Sequence, residues 1–106
     1  MSKLYLVLST IDSKEVAEQI ANHLLEERLA ACVNIISDLT SIYRWKGVLE
    51  RATESLMVIK STEQRLPRLI ERIKELHTYE LPEVIALPIE DGLPPYLDWV
   101  VSETTE

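Results

Sequence analysis

Two long β-rich stretches joined at one tight turn constrain the fold more than any other feature of this sequence. Residues 32–45 and 48–60 carry β-branched, aromatic and other apolar residues, at alternate positions in some parts and in continuous runs in others, and Lys46-Gly47 lies between the two stretches. This is the pattern of a β-hairpin. Each arm would extend about 45 Å at roughly 3.3 Å per residue, against a radius of gyration near 13 Å for a chain of this size. We therefore predict a projecting hairpin, with a bend near Asp38.

The segments around the hairpin complete a strand, helix, strand, strand, helix, strand order. Helical spacing of apolar residues predicts two packing helices, the first opening with a capping box from Asp12 to Glu15. The order is that of a ferredoxin-like α+β fold, and we predict one domain over residues 1–106. The predicted strands are 4–10, 32–45, 48–60 and 83–89, and the predicted helices are 12–29, 61–76 and a short terminal one at 96–102.

Composition narrows the range of partners. The net charge of −7 disfavours nucleic acid and anionic membranes, since both would be repelled. The single cysteine, Cys32, excludes an intrachain disulfide and suggests a cytoplasmic protein, and no apolar run is long enough for a signal peptide or a membrane span. The hairpin needs a partner for its apolar residues and free strand edges, which predicts oligomerisation. Those apolar residues are Leu39, Ile42, Tyr43 and Trp45.

Three residues are candidate metal ligands. His77, at the predicted end of the second helix, could ligate copper or zinc. Alternatively, it could bond nearby backbone carbonyls, or be favoured there by the helix dipole. Cys32 would supply a soft thiolate for copper, or it is a small core residue. Glu83 could complete a site with His77 and Tyr79, or it is solvated.

Tyr79 and two further groups are ligand-cleft candidates. Tyr43 and Trp45 on the hairpin could stack on a planar ligand or make a subunit interface. Lys60, followed by Ser61 and Thr62, has the chemistry of an anion site at a helix start, although the two hydroxyls are also explained as helix caps. The usual catalytic motifs and the glycine motif for dinucleotides are missing from the sequence, which favours binding over catalysis and predicts no organic cofactor.

Five segments of the sequence are notable together: LAACVN (29–34), SIYRWKG (41–47), KST (60–62), LHTYELPE (76–83) and YLDW (96–99). Together they resemble the CutA family of divalent-cation tolerance proteins. The resemblance implies a homotrimer of ferredoxin-like subunits, a relation to PII-type signalling proteins, and a role in tolerance to divalent cations such as copper. Metal-ligand proposals in that family use a strand-one cysteine and two adjacent histidines, where this chain has Ser9 and only His77 after Leu76.

Three hypotheses follow. The first is a homotrimer that binds a divalent cation near a subunit cleft, with His77 as the first ligand and Cys32 and Glu83 as further ones. The second is a PII-like signalling or scaffold trimer that binds a small anionic metabolite near Lys60, Thr62 and the hairpin aromatics and acts on a partner protein. The third is a small-molecule lyase or isomerase assembled between subunits.

Overall fold

A four-stranded antiparallel sheet organises the molecule. The computed structural model describes residues 3–105. The strand order is β2-β3-β1-β4, so the predicted ferredoxin-like α+β fold is confirmed. None of the helices within 3–105 is long and apolar enough to cross a membrane. The elements are β1 (Leu4–Ile11), α1 (Lys14–Glu26), β2 (Cys32–Trp45), β3 (Val48–Thr62), α2 (Leu66–Leu76), β4 (Ile85–Pro88) and α3 (Pro94–Glu103).

The β2-β3 hairpin projects beyond the rest of the sheet, as predicted. β1 pairs with β3 only from Ser55 to Thr62, so the Val48–Glu54 part of β3 pairs with β2 alone. The longest dimension of the molecule is 44 Å. Lys46 and Gly47 have φ values of 50° and 81°, and two successive left-handed residues are what a two-residue hairpin turn requires.

The predicted bend in β2 lies where the strand register shifts. The shift falls between Ile36 and Leu39, and Asp38 has a φ of 63°. An extra residue in one strand raises the local twist and bends the strand. The outer part of the hairpin is thereby set at an angle to the part that pairs with β1.

The core lies between α1, α2 and one face of the sheet. Val7, Ile59 and Val33 form a lateral row across three strands on this face, because residues paired across strands point to the same side. α1 contributes a buried stripe at helical spacing. The buried core cluster comprises Val7, Ile11, Ala17, Ile20, Leu24, Leu29, Ala30, Met57, Ile59, Leu69 and Ile73.

The opposite face of the sheet is apolar and only partly covered. α3 covers one end of it, where the Thr104 and Thr62 hydroxyls lie 3.4 Å apart. The remainder of the face is open in the single chain, with Ile36 49% and Ile85 50% exposed. Its lateral rows are Asn34, Val58, Leu8 and Ile85, and Ile36, Leu56 and Thr10.

The first helix is bounded by other residues than those predicted. Ser13, not Asp12, is the N-cap, because the Val16 N–H donates to the Ser13 Oγ at 3.2 Å. The helix ends at Glu26 rather than near Leu29. Arg28 adopts a left-handed φ of 56°, and the Leu29 N–H donates to the Leu24 carbonyl at 2.9 Å, which reverses the chain into the core.

The prediction that Ser61 and Thr62 cap the second helix is wrong. β3 continues through both residues, which are buried, and the Ser61 hydroxyl donates to the Leu29 carbonyl at 2.6 Å. α2 begins only at Leu66, with Pro67 in its first turn, where the missing N–H of proline costs no hydrogen bond.

The last strand and the last helix also differ from their predicted limits. β4 covers only Ile85–Pro88 of the predicted 83–89, so Glu83 lies in the connector before it. α3 begins at Pro94 rather than Tyr96, since proline suits the first helical positions.

Ser9 offers a first test of the core. Its side chain is fully buried on β1, and its Oγ lacks a hydrogen-bond partner within the described part of the chain. Because a buried unpaired hydroxyl costs about 1–3 kcal/mol, we expect Ser9→Ala to raise the free energy of unfolding by about 1 kcal/mol.

The matched control for Ser9 is Ser61→Ala, which removes an equally buried hydroxyl that does have a partner. The free energy of unfolding of this variant should be about 1 kcal/mol lower than that of the unsubstituted protein. Urea denaturation of both variants at one protein concentration measures the difference. An equal loss of stability in the two would contradict the assignment of Ser9 as an unpaired group.

Candidate functional site

A cleft of about 730 Å³ opens between the projecting hairpin and the connector from α2 to β4. It combines aromatic, apolar, hydroxyl and carboxylate groups from strands that are distant in sequence. Pockets of this volume are typical of small-molecule sites. The lining residues are Thr10, Ser41, Ile42, Tyr43, Trp45, Glu54, Thr78, Tyr79, Glu80, Leu81 and Glu83.

Strand periodicity explains how the hairpin contributes its side of the cleft. Ser41, Tyr43 and Trp45 are alternate residues of β2, so their side chains leave the same face of the strand. Ser41 pairs with Ala52 across the hairpin, and Glu54 follows two residues later on the corresponding face of β3. Of the five predicted ligand-cleft residues, Tyr43, Trp45 and Tyr79 line this cleft, and Lys60 and Thr62 do not.

His77 anchors the connector that forms the other side. Its Nδ1 accepts a hydrogen bond from the Tyr79 N–H at 3.0 Å, and its Nε2 lies 2.8 Å from the Thr10 carbonyl oxygen. Because an N–H only donates and a carbonyl only accepts, the ring has its proton on Nε2. Both ring nitrogens are therefore engaged, and the imidazole also packs on the Tyr79 ring with centroids 4.7 Å apart.

The charged centre of the cleft is a glutamate that sequence reasoning missed. Glu54 is only 7% exposed, and the Tyr79 hydroxyl donates to its Oε2 at 2.6 Å. Burial, and then the Glu54 carboxylate, raises the pKa of Tyr79 above its ordinary value, so the phenol keeps the proton that it donates. The available signal was parity: Glu54 is an acidic residue on the same strand face as the apolar Leu56 and Val58.

The cleft is acidic. Three carboxylates line it, from Glu54, Glu80 and Glu83, and among its described lining residues there is no lysine or arginine. Lys46 stands at the edge, with its Nζ 3.9 Å from a Glu80 oxygen and 5.5 Å from the centroid of the Trp45 ring. Such a surface attracts cations and disfavours the anionic metabolite of the second hypothesis.

The remaining predicted site residues lie elsewhere. Cys32 and Lys60 are cross-strand partners, with Lys60 Nζ 3.9 Å from the Cys32 Sγ and also in contact with the Asn34 Oδ1. Lys60 is six residues from Glu54 along β3, or about 20 Å. Thr62 is buried against Thr104, so the predicted anion site at a helix start is wrong.

The three predicted metal ligands are not brought together within one chain. Glu83 lines the cleft, His77 lies behind its wall, and Cys32 is near the far end of the sheet. Across residues 3–105, no three histidine, cysteine, aspartate or glutamate side chains are grouped so that they could hold a metal ion.

The fold and the cleft define a small ferredoxin-like domain with an acidic, aromatic cleft beside a projecting hairpin. Residues 5–103 match the family model of the CutA1 divalent ion tolerance protein. The chain belongs to this family, and the resemblance seen in its sequence segments is confirmed.

Several relatives are similar over most of the chain. The divalent-cation tolerance protein CutA of Thermus thermophilus is 53% identical over 98 residues, which are 92% of this chain and 95% of that protein. Protein CutA of Mus musculus is 52% identical over 86% of this chain, but the match spans only 51% of the mouse protein. The chain thus corresponds to about half of its mammalian relative.

Solved structures agree with the fold. The Thermus thermophilus Cut A1 protein superposes with a TM-score of 0.89 at 52% identity, covering 92% of this chain and 94% of that one. CutA1 from Ehrlichia chaffeensis gives a TM-score of 0.94 at 30% identity, covering 100% and 99%.

Proposed function

We propose that this protein acts in divalent-cation tolerance by binding the cation at the acidic cleft. The observation that carries the proposal is the charge of the lining, which has three carboxylates and, among the described lining residues, no lysine or arginine. Membership of a divalent ion tolerance family supports the same ligand class. Binding rather than catalysis, and action in the cytoplasm, stay predictions from the sequence.

The donor chemistry of the cleft favours oxygen ligation. Glu80 and Glu83 are exposed on the connector and can approach a hydrated cation, whereas Glu54 lies deeper. Carboxylates suit hard divalent cations, while copper and zinc prefer imidazole or thiolate. Copper binding would therefore use His77 only if one of its two hydrogen bonds opened, and Cys32 only as a ligand at a separate site or from a neighbouring subunit.

We further propose that the protein is a homotrimer. Support comes from the open sheet face and from the hairpin, where Val48 and Leu49 are exposed, since contiguous apolar surface of this kind marks subunit interfaces. The cleft lies beside the hairpin, so a subunit packed on the hairpin would sit close to it. Interaction with a further partner protein stays a prediction.

Calorimetric titration with Mn²⁺, Cu²⁺ and Zn²⁺ tests the metal proposal. We expect saturable binding of at least one of the three, with affinity lowered about tenfold or more by Glu83→Gln, because a direct ligand matters at least as much as outer-shell residues worth 10–100-fold. Glu63→Gln makes the same charge change at an exposed residue outside the cleft and should leave the affinity unchanged.

His77→Ala assigns the histidine in the same experiment. Weakened copper or zinc binding with an unchanged mass in solution would make His77 a ligand, and unchanged affinity would limit it to holding the connector. Heat that never saturates, or equal affinity in Glu83→Gln and Glu63→Gln, would contradict metal binding at this cleft.

A further inference from the structure

The edge of the cleft already holds an organic ammonium group, that of Lys46. Its Nζ lies over the Trp45 ring, 5.5 Å from the centroid, and 3.9 Å from the Glu80 carboxylate. Both the lysine and the glutamate side chains are largely exposed. An aromatic face and a carboxylate each stabilise an ammonium ion, and the cleft has both again further in.

The deeper part of the cleft has a carboxylate with little to balance its charge. Glu54 is 93% buried, as its 7% exposure implies, and its hydrogen bond comes from the neutral Tyr79 hydroxyl. Within residues 3–105, none of the ion pairs includes Glu54. A buried carboxylate is costly without a cationic partner, so a cation entering the cleft would gain a strong electrostatic interaction.

The size and the lining of the cleft indicate which kind of cation fits beside Glu54. A volume of about 730 Å³ is many times the share of about 30 Å³ that one water occupies in the liquid, and therefore exceeds the needs of a bare metal ion. Tyr43, Trp45 and Tyr79 supply aromatic rings, and Ile42 and Leu81 supply apolar surface. Aromatic rings and a carboxylate around an apolar space suit a cation with a hydrocarbon substituent.

We propose that the cleft binds an organic ammonium ion, with its charged nitrogen directed to Glu54 and the aromatic rings and its apolar substituent directed to Ile42 and Leu81. This ligand class goes beyond metal binding and does not depend on it. Lys46 then acts as an internal competitor, because its ammonium occupies Trp45 and Glu80 at the entrance.

A series of three probes of similar shape tests the charge requirement. Calorimetry would compare 2-phenylethylammonium, 2-phenylethanol and 3-phenylpropanoate in buffer containing EDTA, so that metal plays no part. We expect saturable binding of the ammonium, at least about tenfold tighter than the alcohol, and no binding of the carboxylate. Equal affinity for the ammonium and the alcohol would overturn the proposal, and so would no binding of the ammonium.

Two pairs of variants locate the site. Glu54→Gln keeps an oxygen that accepts from Tyr79 but removes the charge, and should lower ammonium affinity about tenfold, while Glu63→Gln should not. Lys46→Gln should raise ammonium affinity several-fold, more than Lys74→Gln, which makes the same charge change on α2. An equal or weaker ammonium affinity in Lys46→Gln would contradict its role as competitor.

The outcomes separate this proposal from metal binding. Saturable ammonium binding in EDTA, together with no saturable binding in the metal titration, would support the organic ligand and contradict metal binding. Saturable metal binding with no ammonium binding would support the metal and contradict the organic ligand. If Glu54→Gln failed to fold, as judged by circular dichroism, the probe series and the Lys46 pair would still decide the question.

Discussion

Replacing Ile59 with alanine is expected to lower the free energy of unfolding by about 3 kcal/mol, within the roughly 2–5 kcal/mol typical of such changes in packed cores. Ile59 is fully buried at the centre of the sheet and pairs with Val7 on one side and Val33 on the other. The loss combines the transfer free energy of the deleted carbons with the cavity they leave. Urea denaturation at fixed protein concentration measures it, since oligomerisation makes apparent stability depend on concentration.

Leu25→Ala is the control for Ile59→Ala. Leu25 lies on the outer side of α1 and is 40% exposed, so its truncation should change the free energy of unfolding by about 0.5 kcal/mol or less. Similar losses in the two variants would show that Ile59 is not part of a tightly packed core.

Ile36→Glu is expected to convert the proposed homotrimer into smaller species. Ile36 is half exposed in the single chain and lies on the open sheet face in a lateral row with Leu56 and Thr10. A carboxylate there would be solvated in a monomer but desolvated and unpaired in an apolar interface, where it costs several kcal/mol. Light scattering after size exclusion should give three times the 12.2 kDa chain mass for the unsubstituted protein and less for the variant.

Leu25→Glu separates an interface effect from a general effect of added charge. It places the same carboxylate on the exposed side of α1, on the opposite side of the sheet, and should leave the mass unchanged. If Ile36→Glu also kept the full mass, the open face would not be the interface.

The elements that rest on local patterns were predictable. The alternation in β2 and β3 and the turn at Lys46-Gly47 led directly to the projecting hairpin, because two left-handed residues and period-two side chains depend on near neighbours. The helix limits were less predictable. Asp12 and Ser13 are both good caps in sequence, and only the path of the chain out of β1 selects Ser13.

The candidate site was predictable in its aromatic residues and not in its charge. Tyr43, Trp45 and Tyr79 could be chosen because exposed aromatics on a hairpin and a connector indicate an interface or a ligand. Strand parity places Glu54 beside Leu56 and Val58, but its role in the cleft was not predictable, since it depends on the Tyr79 hydroxyl, 25 residues away in sequence. Lys60 and Thr62 were misassigned because a buried strand end can carry the same polar residues as a helix cap.

The sequence by itself determined the element order, the hairpin and the family, because periodicity, turn residues and motif order are all local or linear properties. The tertiary structure alone decided that His77 uses both ring nitrogens, one of them toward Thr10, 67 residues away, and that Cys32 lies far from Glu83. It also decided that the cleft is acidic. Those properties depend on which side chains long-range strand pairing brings together, and one-dimensional spacing does not contain that information.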